Sequence, residues 1–156
     1  MTAPTTLQEL LDYHAIIELK AKYCRCLDNK RWDEFRQIFT DDLDIDVGTL
    51  HCTSADEYIA TVKQRTAGAT TVHQCTLPEL EIGEDTATGT WAMADIVERG
   101  PDQALDGLAA FRGFGYYREE YRRTPDGWRI ASVRVERLRL DAVTASGEEV
   151  RIAPEG

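Results

Sequence analysis

The sequence predicts an α+β fold in which helices come first, a run of antiparallel strands follows, and the helices pack on one face of the sheet. Three observations carry that expectation. Apolar residues early in the chain recur mostly at three- and four-residue intervals, while from Thr70 onward they alternate with polar ones. Turn sequences then separate the alternating segments, as they do between paired strands.

Thr6 and Glu9 have the spacing of a capping box, and Leu10, Ile16, Ile17, Leu19, Tyr23 and Leu27 follow it. They predict one helix, kinked near Asp12, that ends at Asp28-Asn29. Trp32, Phe35, Ile38 and Phe39 predict a second short helix, stopped by Asp41-Asp42. Leu43, Ile45 and Val47 alternate with Asp44 and Asp46, the period of a half-buried strand. Ser54 with Glu57 is a second capping box, opening a helix through Tyr58, Ile59 and Val62. Thr70 to Leu77, Ala87 to Glu98, Ala109 to Arg122 and Trp128 to Leu140 read as strands. Gly83-Glu84-Asp85, Gly100-Pro101-Asp102 and Pro125-Asp126-Gly127 are the turns between them. With no internal repeat or linker, residues 1–143 read as a single domain and 144–156 as a polar, loosely ordered tail.

The composition is that of a folded protein: 156 residues, 42% hydrophobic and 29% charged, which excludes a disordered or fibrous chain. A chain of this length buries roughly 70% of its unfolded surface and needs no metal or disulfide to hold a core. A formal net charge of −10 repels phosphate backbones, so no nucleic acid partner is expected. Cys24, Cys26, Cys52 and Cys75 form no C-x-x-C pair and find no histidine at zinc-site spacing, which predicts reduced thiols and no metal. Met1 to Thr6 show no basic region leading into an apolar run, and no segment approaches the ~20 apolar residues of a membrane span. A cytoplasmic protein without a membrane partner is expected.

Five positions invite chemistry. Asp28 closes the first helix, where its charge meets the negative end of the macrodipole and requires a partner; a solvated turn residue is the competing reading. Tyr23 lies about 140° around the helix from it, at about 100° per residue, and reaches the same opening only if the helix end unwinds. His73 shares a strand face with Thr71 and Cys75, both small, so it has room in front of it; a satisfied core histidine is the alternative. Asp95 interrupts a face otherwise made of Trp91, Met93 and Val97, and if that face is the inner one the carboxyl must be paired or stay protonated. If Ala92, Ala94 and Ile96 look inward instead, it is a surface charge. Arg134 sits among many charges on the late strands, where Arg112, Arg118, Arg122, Arg129, Arg137 and Arg139 read as partners of Glu119, Glu120, Glu136 and Asp141 across an exposed face. His14 and His51 are weaker candidates, with no acidic residue placed to orient them.

The run Ala15 to Tyr23, then Leu27-Asp28, Trp32, Phe35 and Phe39-Thr40-Asp41-Asp42, resembles the opening helices of SnoaL-like proteins in the nuclear transport factor 2-like superfamily. Gly113-Phe114-Gly115-Tyr116-Tyr117 and Asp126-Gly127-Trp128-Arg129-Ile130 resemble their two closing strands. The resemblance covers about residues 7 to 141. It implies a cone, a curved antiparallel sheet around a pocket closed by the N-terminal helices, associating through the outer face of the sheet as a homodimer or homotrimer. At the site the chain is most similar to bile-acid dehydratases, a dehydrochlorinase and scytalone-dehydratase-type enzymes. Asp28, Tyr23, His73 and Arg134 match their pattern, with Asp95 as a second acidic residue; a bulge near Ala131 would change which late-strand side chain faces inward.

The resemblance therefore implies a cofactor-independent lyase or isomerase that abstracts a proton from a hydrophobic polycyclic or aromatic small molecule. His73 is expected as the general base, Asp28 as its orienting partner, Tyr23 as a donor to the oxygen gaining charge, and Arg134 as a stabiliser of an anion. Asp95 is expected as a protonated acid or second donor. A non-catalytic small-molecule-binding protein and a polyketide cyclase are the alternatives.

Overall fold

The computed structural model describes residues 4–153; the first residues read for a leader and the last of the polar tail lie outside them. Helix α1 (Leu7–Asp28) opens on the expected capping box, with Thr6 Oγ1 accepting from the Glu9 amide at 3.1 Å and the Glu9 carboxylate accepting from the Thr6 amide at 3.0 Å. It runs without a break at Asp12. That carboxylate is turned inward and is satisfied by Arg123 at 2.8 and 2.9 Å and by Trp128 Nε1 at 3.0 Å. Asp12, Ile16, Lys20, Tyr23 and Leu27, spaced four, four, three and four, form the buried stripe.

Helix α2 (Trp32–Arg36) is shorter than its periodicity suggests, because Phe39 already belongs to strand β1 (Phe39–Val47) and pairs with Ile130. Asp41 and Asp42 therefore lie within a strand, at a register shift, rather than ending a helix. Strand β2 (Leu50–Cys52) and helix α3 (Ala55–Arg65) follow, the latter capped by Ser54 Oγ on the Glu57 amide at 3.2 Å. Four long strands come next: β3 (Thr70–Ile82), β4 (Thr86–Glu98), β5 (Leu108–Thr124) and β6 (Gly127–Thr144). The segment expected to be a loose tail carries β7 (Glu149–Ile152), which turns back and pairs with the end of β6.

The sheet has the order β2-β1-β6-β5-β4-β3, with β7 off this path on β6. It is mixed and unclosed rather than wholly antiparallel: β1 runs parallel to β6. β1 arrives from a helix and not through a hairpin, so no tight turn forces it antiparallel. Strands of 17 and 18 residues could not wrap a core if straight, and bulges bend them. In β6 the pairing steps from Tyr121–Ile130 to Glu120–Ser132, leaving Ala131 extra, and from Gly115–Arg137 to Phe114–Arg139, leaving Leu138 extra. β3 is interrupted between Thr76 and Glu79, where Leu77 takes φ +47° ahead of Pro78.

The helices seal the concave face. Tyr23 of α1, Phe35 of α2, Phe39 of β1 and Tyr58 of α3 meet edge-on or tilted, with ring centroids 5.0 to 6.0 Å apart. Deeper in the cone lies a buried polar cluster. Glu119, expected on the exposed face, is only 3% exposed; it accepts from the Lys20 ammonium and the Tyr121 hydroxyl, which itself accepts from Trp91 Nε1 at 2.7 Å. The Lys20 ammonium also sits 3.6 Å from the Tyr117 ring centroid and 4.1 Å from that of Tyr23.

Candidate active site

Between the sheet and the ends of α1 and α3 lies a cavity of about 210 Å³. Tyr23, Tyr58, His73, Asp95, Tyr117 and Arg137 are among its polar lining, with Arg65, Arg99 and Asp106 also on it, and Leu27, Val62, Val97 and Val135 are among its apolar walls.

α1 stays helical to Asp28, so the residue is delivered by the helix terminus itself and no unwinding is needed. Its carboxylate has the partners its position demands. Oδ2 accepts from the His73 amide at 2.8 Å, and Oδ1 from Thr71 Oγ1 at 3.0 Å, while His73 Nδ1 lies 2.7 Å from Oδ1. Three donors converge on a group that only accepts. Lys30, in the left-handed region at φ +57° just past the helix, folds back to donate from Nζ to Thr71 Oγ1 at 2.7 Å, which leaves the Thr71 hydrogen for Asp28. With Nδ1–H donated to Asp28, the lone pair of His73 is on Nε2, which has no hydrogen-bond partner among the described residues.

His73 pairs in register with Asp95 on β4, which pairs with Gly113 on β5. The face of Asp95 is thus the inner one, and the side chain is 4% exposed. Where a protonated acid or second donor was expected, the carboxyl stands against a cation. Arg137 grips both its oxygens, Nη1 to Oδ1 and Nη2 to Oδ2, each at 2.7 Å, a geometry that calls for a carboxylate. Burial alone would pull the guanidinium down, but the Asp95 pair outweighs it and holds Arg137 above its ordinary range, a permanent cation. Gly113 makes room for the pair: a Cβ there would stand 2.0 Å from Arg137 Nη1 and 2.2 Å from Asp95 Oδ1.

Arg134 is not in this constellation. It reaches Asp44 and Asp46 of β1, away from the cavity, and Arg137 occupies the wall instead. The Ala131 bulge is the reason. Up to it the inward side chains of β6 are Trp128 and Ile130; beyond it the alternation has shifted by one, to Val133, Val135 and Arg137.

Tyr23, expected to reach the opening through an unwound helix end, lies 3% exposed on the cavity wall with the helix intact, beside Tyr58, which the sequence reading placed only in the pattern of a helix. Its hydroxyl lies 3.1 Å from that of Tyr58. Burial pushes both phenols up, Tyr58 to about 12, so each is a proton-bearing donor near neutral pH. Tyr117, also pushed up by burial, has no hydrogen-bond partner for its hydroxyl among the described residues. His14 and His51 do have acidic neighbours, Glu18 at 3.7 Å and Asp46 at 2.8 Å, yet both are exposed at the surface and outside the cavity. The four cysteines are free thiols, Cys24 and Cys75 facing each other at 3.7 Å. No helix among the described residues is long and apolar enough to cross a membrane.

Residues 8–134 match the sequence profile of the SnoaL-like domain. The chain belongs to that family. The SnoaL-like assignment places it in the nuclear transport factor 2-like superfamily, whose members include dehydratases and dehydrochlorinases. Among solved structures the chain is similar to a protein from Kribbella flavida, at 29% identity and a TM-score of 0.76 over 84% of this chain and 93% of that one. It also resembles a provisionally assigned scytalone dehydratase from Novosphingobium aromaticivorans (16% identity, TM-score 0.72, 84% and 87% of the two chains). A type 2 hexachlorocyclohexane dehydrochlorinase is comparable (16% identity, TM-score 0.76, 96% and 98%). At such identities the last two share the SnoaL-like fold with this chain, and their chemistry stays their own.

Proposed function

We propose that the protein is a cofactor-independent lyase or isomerase that works by proton abstraction on a small, largely hydrophobic substrate. The observation that carries the reading is the 2.7 Å contact of His73 Nδ1 with Asp28 Oδ1 beside a cavity on whose wall His73 stands. Nε2 takes a proton from a carbon next to a carbonyl or a leaving group. The electron pair of that C–H bond then forms an enolate, or a double bond as the neighbouring group departs. Asp28 fixes the ring and compensates the imidazolium. Tyr23, with Tyr58 behind it, donates to the oxygen that gains charge, and Tyr117 is a second donor on the same wall. Arg137 takes the part first given to Arg134: as a cation whose charge is balanced by Asp95, it stabilises an anionic intermediate without leaving a lone charge in an apolar cavity.

The volume of about 210 Å³ lies below the roughly 300–1,000 Å³ of common ligand sites, which favours one or two rings over a polycyclic body and disfavours the polyketide cyclase alternative. The test is turnover of a panel of one- and two-ring β-hydroxy ketones, with hydroxy-steroids as the larger comparison. Wild type is expected to turn over the compact substrates, and His73→Ala to lose about 10²- to 10⁴-fold in kcat. Equal rates in the two proteins would remove His73 from the chemistry.

A further inference from the structure

The rim of the same cavity carries two arginines with no part in the proton chemistry. Arg65 is the last residue of α3 and Arg99 follows the end of β4, and both line the opening. In this acidic chain arginines are commonly matched with carboxylates: Arg36 with Asp41 and Asp56, Arg122 with Asp42, Arg123 with Asp12, Arg137 with Asp95. Among the described residues Arg65 and Arg99 form no salt bridge within 4.0 Å; Asp106, on the same rim, stands beyond that distance.

Their contacts are to neutral atoms. Arg99 Nη2 donates to the Arg65 carbonyl at 2.9 Å, and Arg65 Nη1 to Thr49 Oγ1 at 3.2 Å. The first bond satisfies an orphan carbonyl at the end of α3 and anchors the guanidinium at the rim; it does not neutralise it, and the remaining N–H donors stay available. Lys30 adds a third cation nearby, half-buried and bonded only to the Thr71 hydroxyl. Burial holds Arg99 and Lys30 below their ordinary proton affinity; Asp106 opposes this at Arg99 without outweighing it, and Asp28 opposes it at Lys30 while the charge of Arg99 reinforces it there. An uncharged apolar ligand would desolvate these cations further and offer nothing in return. An anionic group would supply what they lack.

We propose that the ligand carries an anionic group, a carboxylate or a phosphate ester, held at the rim by Arg99 and Arg65 while its apolar body extends toward His73. Which end of the ligand reacts rests on His73 being the base; the anion site itself does not, so it is tested by binding alone.

Benzoate, phenyl phosphate and benzamide are titrated into the purified full-length protein by calorimetry, with turnover left out of the readout. Wild type is expected to bind at least one of the anions about 10- to 100-fold more tightly than benzamide. Preference for benzoate alone identifies a carboxylate site, and for phenyl phosphate alone a phosphate site. Arg99→Gln and Arg65→Gln should each reduce the preference, whereas Arg99→Lys should retain most of it, as should His73→Gln, which separates this site from the acid–base assignment. Thermal melts of each variant confirm that it folds. Equal affinity for acid and amide in wild type, no binding of either anion, or an unchanged preference in both glutamine variants overturns the proposal.

Discussion

Asp12 and Asp28 both sit on α1 and both are satisfied by residues more than forty positions away in sequence, yet only Asp28 bonds a residue of the cavity wall, His73. Two bonds from Arg123, with Trp128 and Gln8 adding to them, hold Asp12 down at about 2 against the penalty of burial. Because the folded value lies below the unfolded one, near 4, this carboxylate contributes stability that is complete above about pH 4 and is lost as pH falls toward about 2. Asp12→Asn should flatten that part of the acid-unfolding profile, measured by circular dichroism between pH 5 and about 2. Asp28→Asn keeps the shape of the site but replaces one acceptor oxygen by a donor. It should lower kcat on any turned-over substrate at least about 100-fold, and because the amide nitrogen must face one of the three donors, it should also lower the melting temperature by a few degrees. In the sequence, the need of Asp28 for a partner was legible from its place at a helix end. Lys30 and Thr71, which orient it, were not, because the first depends on a left-handed residue after the helix and the second on where β3 docks.

At the level of single elements, β6 decides which arginine serves the cavity. Period-two reading of its sequence brings Trp128, Ile130, Ser132 and Arg134 to one face, and one unpaired residue at Ala131 transfers the role to Arg137. A bulge is a property of two strands together, so the sequence could mark its neighbourhood at Ala131 without naming Arg137 as the arginine that it turns inward. Deleting Ala131 removes only the extra residue, so Val133, Val135 and Arg137 should stay on the concave face while the local bend is lost, and urea denaturation should report a destabilisation of about 1–3 kcal/mol. α1 poses the same difficulty. Lys20 stands in its apolar stripe, and only the fold shows that Glu119 lies opposite it. Lys20→Met strands a buried carboxylate and should cost about 3–5 kcal/mol, while Lys20→Met with Glu119→Gln should recover part of that loss.

For the whole molecule, the succession of helices and then strands was legible, and periodicity grouped Trp91, Met93, Asp95 and Val97 on one face of β4, but which face is concave was not, since that depends on where the helices dock. The parallel pairing of β1 with β6 and the return of β7 were not; both are choices among partners far apart in sequence. The resulting cone is open: β3 forms one margin of the sheet and the three-residue β2 the other. A long free margin is a template on which a second chain can add its own strand. The break in β3 bears on that. With Leu77 turned to φ +47° and Pro78 lacking an amide hydrogen, the margin offers no unbroken row of donors and acceptors along its length. Replacing Leu77-Pro78 by two threonines would straighten it, and light scattering of the variant at rising concentration should then report open-ended polymers beyond any defined oligomer of the wild type. The same two residues that interrupt the pairing of β3 with β4 thereby deny a neighbouring chain a continuous edge to extend.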